Sequence, residues 1–142
     1  MKTSARNQFE GKIKAIRTGA VNDEIVINVS PNRDIVAIIT GDSTKKLNLA
    51  EGSDVVALIK ASSVILAADS NGLVFSARNQ FSGSVTVVSK GAVNSDIVID
   101  AGDGVQIGAI ITNTSLDNLG IKAGSQVTAI FKASSVIVAA KA

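Results

Sequence analysis

Ser4-Ala5-Arg6-Asn7-Gln8-Phe9 is written a second time, unchanged, as Ser76-Ala77-Arg78-Asn79-Gln80-Phe81. The offset of 72 residues holds from there to the end of the chain without a gap. Gly19-Ala20-Val21-Asn22 returns as Gly91-Ala92-Val93-Asn94, Ala37-Ile38-Ile39-Thr40 as Ala109-Ile110-Ile111-Thr112, and Lys60-Ala61-Ser62-Ser63-Val64-Ile65 as Lys132-Ala133-Ser134-Ser135-Val136-Ile137. Between 4–70 and 76–142, 33 of 67 aligned pairs are identical. The chain is one small unit repeated, so its function is to be sought in what the copies share.

Short runs of β-branched residues alternate with other residues throughout. Phe9 to Ile16, Ile25 to Val29, Ile35 to Thr40, Val55 to Lys60 and Val64 to Ala68 have strand length and strand spacing. The first run places Phe9, Gly11, Ile13 and Ala15 on one face. Copy two repeats the set at 81–88, 97–101, 107–112, 127–132 and 136–140. A short helix is predicted after the third strand of each copy, at Asp42 to Leu47 and Thr114 to Gly120. In the second, Asn113 or Thr114 is the expected cap, Gly120 the left-handed end, and Leu116 and Leu119 the buried face. Gly52 and Gly124 mark the turn into the fourth strand. Asn28–Asp34 and its counterpart Asp100–Gln106 are turn chemistry between strands two and three. The predicted fold is all-β: two tandem OB-like five-stranded Greek-key barrels, 1–70 and 73–142, each with one short helix, joined by Asp69-Ser70-Asn71-Gly72.

Composition removes several function classes. There is no Cys and no His, so neither a direct metal-cation site nor the commonest general base is expected, and no cofactor is implied. An enzyme is disfavoured on the same ground. Net charge is only +2, from 14 basic and 12 acidic residues, and the aromatics are four Phe. The basic stripe and stacking residues of a nucleic-acid binder are missing. Apolar runs such as Val55-Val56-Ala57-Leu58-Ile59 are too short for a membrane helix, which needs about 20 residues. Met1 to Arg6 carries no apolar secretory stretch, so a cytoplasmic protein is expected. A unit of about 70 residues is close to the lower limit for a self-sufficient core. Mean hydropathy is nonetheless +0.35, which predicts packing against another unit or another chain.

Core positions have drifted conservatively, as in Ile13/Val85, Leu58/Ile130, Ile59/Phe131 and Leu66/Val138. Ser4, Arg6, Asn7, Gln8, Asn22, Thr40, Lys60, Ser62 and Ser63 have not drifted. Arg6 and Lys60, with Arg78 and Lys132, are the only cations that match between copies; Lys12, Lys14, Arg17, Arg33, Lys45 and Lys46 all face neutral or acidic counterparts. A retained Arg and Lys among hydroxyls and amides predict donors converging on an oxyanion. The Gly-Ala-Val-Asn turn can add backbone N–H groups. Taken singly, Asn22 and Ser62 read as turn residues, Thr40 as a β-former, and Arg6 equally as a surface ion pair or a ligand. The retained hexapeptide, with one Phe and four polar residues, exceeds what barrel packing requires.

These four motifs, at this spacing and over the whole chain, resemble the molybdate-binding Mop domain, and their tandem arrangement resembles the two-domain molbindins. The resemblance implies a cytoplasmic homotrimer binding molybdate, with tungstate not excluded, at sites between modules, for molybdenum storage or homeostasis. It implies an oxyanion site built from Ser4, Ala5, Arg6, Thr40, Lys60, Ala61 and Ser62, repeated as Ser76, Ala77, Arg78, Thr112, Lys132, Ala133 and Ser134, with the Thr contributed by a neighbouring module. A second type of site is implied at Gly19, Ala20, Val21 and Asn22, and at Gly91, Ala92, Val93 and Asn94. The DNA-binding and ATPase domains that accompany this domain in related regulators and transporters are not expected here. The alternative reading is an oligomeric OB-like structural or nucleic-acid-binding module without oxyanion specificity.

Overall fold

The computed structural model describes residues 3–68 and 73–141. The first copy supplies β1 (Asn7–Thr18), β2 (Asn22–Ser30), β3 (Arg33–Thr40), helix α1 (Gly41–Lys46), β4 (Asp54–Ile59) and β5 (Ile65–Ala67). The second supplies β6 (Asn79–Lys90), β7 (Asn94–Gly102), β8 (Val105–Thr112), helix α2 (Asn113–Leu119), β9 (Gln126–Phe131) and β10 (Ile137–Ala140). A 3₁₀ turn, Ala61–Ser63 or Ala133–Ser135, precedes each closing strand. All the predicted strands are present, and none of the described helices is long and apolar enough to cross a membrane.

The strands form two antiparallel five-stranded sheets, ordered β10-β4-β1-β2-β3 and β5-β9-β6-β7-β8. In each, the two outer strands touch, β3 with β10 and β5 with β8, so each sheet curls into a barrel-like layer. Sheet membership does not follow the sequence repeats. The compact units are 1–59 with 132–142, and 60–131. Each copy gives its closing strand to the other copy's sheet: Ile137–Ala140 pair with Leu58–Val55, and Ile65–Ala67 with Ile130–Thr128. The physical reason lies in the near-identity of the closing segments. Val64-Ile65-Leu66-Ala67-Ala68 and Val136-Ile137-Val138-Ala139-Ala140 offer the same alternation to either sheet, so exchange preserves every class of contact. Val136 and Val138 complete the core around Ile13, Ile25, Ile27, Ile35 and Ile59; Val64 and Leu66 do so around Val85, Ile97, Ile99, Ile107 and Phe131. Asp69-Ser70-Asn71-Gly72, the predicted linker, lies outside the described residues.

β1 is long because it has two partners. Asn7–Lys12 pair with β4 along one edge, and Lys12–Thr18 with β2 along the other. The register slips between Ile13 and Ala15, leaving Lys14 as a bulge, and Thr86 repeats this in β6. A bulge bends its strand and resets the side-chain alternation, so the single face predicted through Ala15 ends at Ile13. Gly11 and Gly83 sit where β1 and β6 cross their neighbours. A Cβ there would collide with the Asn28 or Asp100 carbonyl oxygen.

The helices start one residue earlier than predicted. Thr40 and Thr112 are the N-caps, each accepting through its hydroxyl from Ser43 or Ser115 N–H at 3.1 Å. The expected caps Asn113 and Thr114 lie inside the first turn of α2. Gly120 takes the left-handed conformation (φ 62°) that was predicted for it, and Gly52 and Gly124 also have positive φ. Leu116 is buried, but Leu119 is 42% exposed: at the last turn of so short a helix it passes the edge of the sheet.

Candidate functional site

The retained residues occupy four short segments, each fixed by its own backbone chemistry. In the first, Gln8 folds the chain back on itself, its Nε2 donating to the Ala5 carbonyl at 2.9 Å and the Thr3 carbonyl at 3.4 Å. Gln80 does the same to Ala77 (2.9 Å) and Phe75 (3.0 Å). Asn7 and Asn79 are buried, whereas Ser4, Arg6, Ser76 and Arg78 are exposed. The hexapeptide therefore divides into residues that hold its shape and residues it displays. Asn7 pairs with Ile59 and Asn79 with Phe131 at the ladder ends, so Arg6 and Lys60, and likewise Arg78 and Lys132, each stand one residue beyond a paired position.

The second segment begins with extended Lys60 and Lys132. Their carbonyls accept from Ser63 and Ser135 N–H at 2.9 Å and close the 3₁₀ turns. This tight turn was not foreseen in the Lys-Ala-Ser-Ser motif. It buries the Ala61 and Ala133 side chains and leaves Lys60, Ser62, Lys132 and Ser134 exposed.

The third is the end of the third strand. Thr40 and Asn22 are register partners, as are Thr112 and Asn94. Thr40 Oγ1 donates to Ser43 Oγ at 2.9 Å while accepting from the Ser43 amide, and Thr112 treats Ser115 identically. A hydroxyl has a single proton. With Thr40's proton committed to Ser43, the Ser43 hydroxyl keeps its own to donate.

The end of the third strand and the Ser134 turn meet around a cavity of about 400 Å³ in the unit formed by 1–59 and 132–142, whereas Ser4, Arg6 and Lys132 are not in its lining. Asn22, Thr40 and Ser43 line it from copy one and Ser134 from copy two, with Ile38, Leu47 and Ile137 among its apolar walls and no carboxylate in the lining. In the other unit, β8 packs on the Ala61–Ser63 turn in the same way. Asn22, assigned from sequence to the second type of site, thus shares a cavity with Thr40 and Ser134. Ser43 and Ser115 escaped the sequence reading although they are identical at the 72-residue offset; a lone Ser in a helix start attracts no notice until its cap partner is seen.

The fourth segment is the Gly-Ala-Val-Asn turn. Gly19 N–H donates to the Asn22 carbonyl (3.0 Å) and Gly91 N–H to Asn94 (2.9 Å). Those two glycine donors are therefore already engaged. The turns are tied to the helix starts: Val21 O accepts from Gly41 N–H (2.8 Å) and Val93 O from Asn113 N–H (2.9 Å).

Three of the cations that differ between copies stand in ion pairs. Lys12 meets Asp54 at 2.7 Å, Lys14 meets Asp34 at 3.0 Å and Arg17 meets Glu24 at 3.1 Å. A hydrogen bond from Asn28, then the hydrogen bond and charge of Lys14, hold the Asp34 carboxyl below its usual range. Lys12 does the same for Asp54. At the 72-residue offset these pairs become Ser84 with Gln126, Thr86 with Gln106 and Ser89 with Asp96. In the first of them, Gln126 Nε2 donates to Ser84 Oγ at 2.6 Å. In the first two pairs cation and acid changed together; in the third the acid remains as Asp96. Among the described residues no group of three His, Cys, Asp or Glu is placed to hold a metal ion.

The TOBE domain profile matches residues 3–66 and 76–138. The molybdenum transport protein ModE of Herbaspirillum seropedicae is 45% identical over 139 residues, 98% of this chain and 52% of that protein. The molybdenum-pterin-binding protein MopA of Rhodobacter capsulatus is 42% identical with the same coverage. The chain spans about half the length of these curated relatives. The molybdenum-pterin-binding protein 1 of Clostridium pasteurianum matches one repeat, 37% identical over 68 residues that make up 100% of that protein. Among solved structures, the cytoplasmic molybdate-binding protein ModG with molybdate bound superposes with a TM-score of 0.95 at 39% identity, covering 99% of this chain and 100% of that one. The chain belongs to the TOBE domain family, as two such domains in tandem.

Proposed function

We propose that this protein binds molybdate, and tungstate with it, as a cytoplasmic store or buffer of the oxyanion. One observation carries the reading: exchange of the closing segments sets Ser134 of one copy against Asn22, Thr40 and Ser43 of the other in a cavity without a carboxylate. The likeness to ModG, a molybdate-binding protein, over the full length of both chains supports it. Lys132 adjoins the Ser134 turn and contributes charge there, as Lys60 does beside Ser62. Arg6 and Arg78, with Ser4 and Ser76, are further ligands in this proposal.

Molybdate is a tetrahedral dianion that only accepts hydrogen bonds. Hydroxyl, amide and ammonium donors suit it. Hydrogen phosphate carries a proton that finds no carboxylate acceptor in this lining, and an unmatched buried polar group costs about 1–3 kcal/mol. Sulfate has the charge and shape of molybdate but is smaller, so the spacing of the donors, not the volume of the cavity, discriminates against it; tungstate is nearly the same size and is accepted. Ligands drawn from several modules make binding and assembly support one another by mass action, and a homotrimer is the assembly proposed. A nucleic-acid role is less well supported, since Lys12, Lys14 and Arg17 are neutralised by acidic partners.

Calorimetric titration with molybdate, tungstate, sulfate and phosphate tests the reading. Heat with the first two and none with the others is expected. Absence of heat with molybdate at micromolar protein refutes it, and native mass spectrometry giving a monomer refutes the trimer.

A further inference from the structure

The walls of the cavity beside Ser43 recur almost unchanged in the sequence of the other unit. Of its ten lining residues, nine have identical counterparts at the 72-residue offset, and the tenth is Val138 against Leu66. The difference in charge stands just outside those walls, on the helix that supplies Ser43.

The α1 segment divides its side chains between two hollows. Asp42, Thr44 and Lys45 line a crevice of about 500 Å³ on one side, together with the buried Asp23. Ser43 and Leu47 line the cavity on the other. Residues three and four apart share a helix face, so Lys46, three after Ser43, stands on the cavity side. It is exposed, and it pairs with no carboxylate among the described residues.

The same division holds in α2. Lys90, the counterpart of the crevice residue Thr18, pairs at 3.3 Å with Asp117, the counterpart of Lys45. The charges exchanged there belong to the crevice side. On the cavity side Ser115 and Leu119 are kept, and Lys46 becomes Asn118. Glu51 and Lys122, which also differ between copies, stand in the turns before β4 and β9. The cavity face of the helix thus changes by one ammonium.

We propose that Lys46 is a further ligand of the oxyanion in the cavity beside Ser43, so that this unit holds molybdate more tightly than the other, where Asn118 offers only a neutral amide. The proposal rests on the molybdate reading above. An ammonium on a flexible four-carbon stem brings three rotatable donors to the anion. Its attraction doubles for a dianion, and is stronger in a partly enclosed cavity than in open water. Because Lys46 is exposed, salt weakens the gain; the screening length is about 8 Å at physiological ionic strength.

Calorimetric titration of the full chain with molybdate, at low and at high salt, tests this. Two classes of site with unequal affinity are expected for the wild type. Lys46→Asn should weaken the tighter class about three- to tenfold at low salt and by less at high salt. Lys46→Arg should keep it tight. Asn118→Lys should strengthen the weaker class by a similar factor, a gain that misfolding cannot imitate. Lys45→Asn removes the same charge from the crevice side and should change affinity far less. Wild-type affinity in Lys46→Asn, an unaltered weaker class in Asn118→Lys, or equal weakening by Lys45→Asn overturns the role of Lys46 and leaves the molybdate reading intact. A wild-type chain that binds no molybdate removes both.

Discussion

Thr40 has two tasks that a single substitution can separate. Its hydroxyl caps α1 and donates to Ser43, which lines the cavity. Thr40→Val keeps the shape and removes both bonds. The expected loss of stability is about 1 kcal/mol, the usual worth of an N-cap, accompanied by weakened molybdate binding. Thr40→Ser should restore both. Thermal melting and titration of the two variants measure this, and undiminished binding in Thr40→Val would show that the hydroxyl pair is not part of the site. At this scale the sequence was partly legible. Retention picked out Arg6, Lys60 and Thr40, but it could not separate Gln8, which shapes the loop, from Arg6, which the loop presents. Nor could it explain why Lys12, Lys14 and Arg17 vanish in copy two. Lys12 and Lys14 vanish with their partners Asp54 and Asp34, which become Gln126 and Gln106, whereas Arg17 is lost while its partner Glu24 stays acidic as Asp96.

Among the elements, β1 and β6 each depend on a glycine at the crossing with the neighbouring strand. Gly11→Ala drives a methyl group into the Asn28 carbonyl at the crossing with β2. The backbone must move to admit it, and overpacking of this kind costs about 1–3 kcal/mol. Chemical denaturation should therefore place Gly11→Ala well below the wild type, whereas Gly52→Ala, with open space around its Cβ position but φ of 87°, is strained by backbone conformation alone. Equal midpoints for wild type and Gly11→Ala would contradict the crossing geometry. Strand positions were legible because alternation is a local property. The bulge at Lys14 and the 3₁₀ turns were not, since each is imposed by a partner strand or a core that the local pattern does not contain.

For the whole molecule, the sequence repeat and the compact unit are different objects. Neither copy carries a complete sheet of its own: 1–70 has β5 but no β9 to receive it, and a β4 edge without β10. A fragment of residues 1–70 is predicted to associate, each chain lending its closing segment to another. Light scattering on the purified fragment should give a dimer or larger; a folded monomer would show that the segment can close on its own sheet. No reading of the sequence could have predicted the exchange, because the closing segments are interchangeable in every property that sequence records.

One further consequence concerns time rather than space. Residues 60–131 form a continuous stretch set within the unit that holds the N-terminus. During synthesis the ordinary expectation is that N-terminal domains fold first. Here the order is inverted. The unit of 60–131 has all its strands once Phe131 has left the ribosome, but the unit begun at β1 must wait for Ile137–Ala140, which are made later. Until then β4 presents an open edge on the nascent chain, and the cavity bearing Thr40 and Ser134 does not exist. The oxyanion binding proposed there thus requires that Ile137–Ala140 have been made.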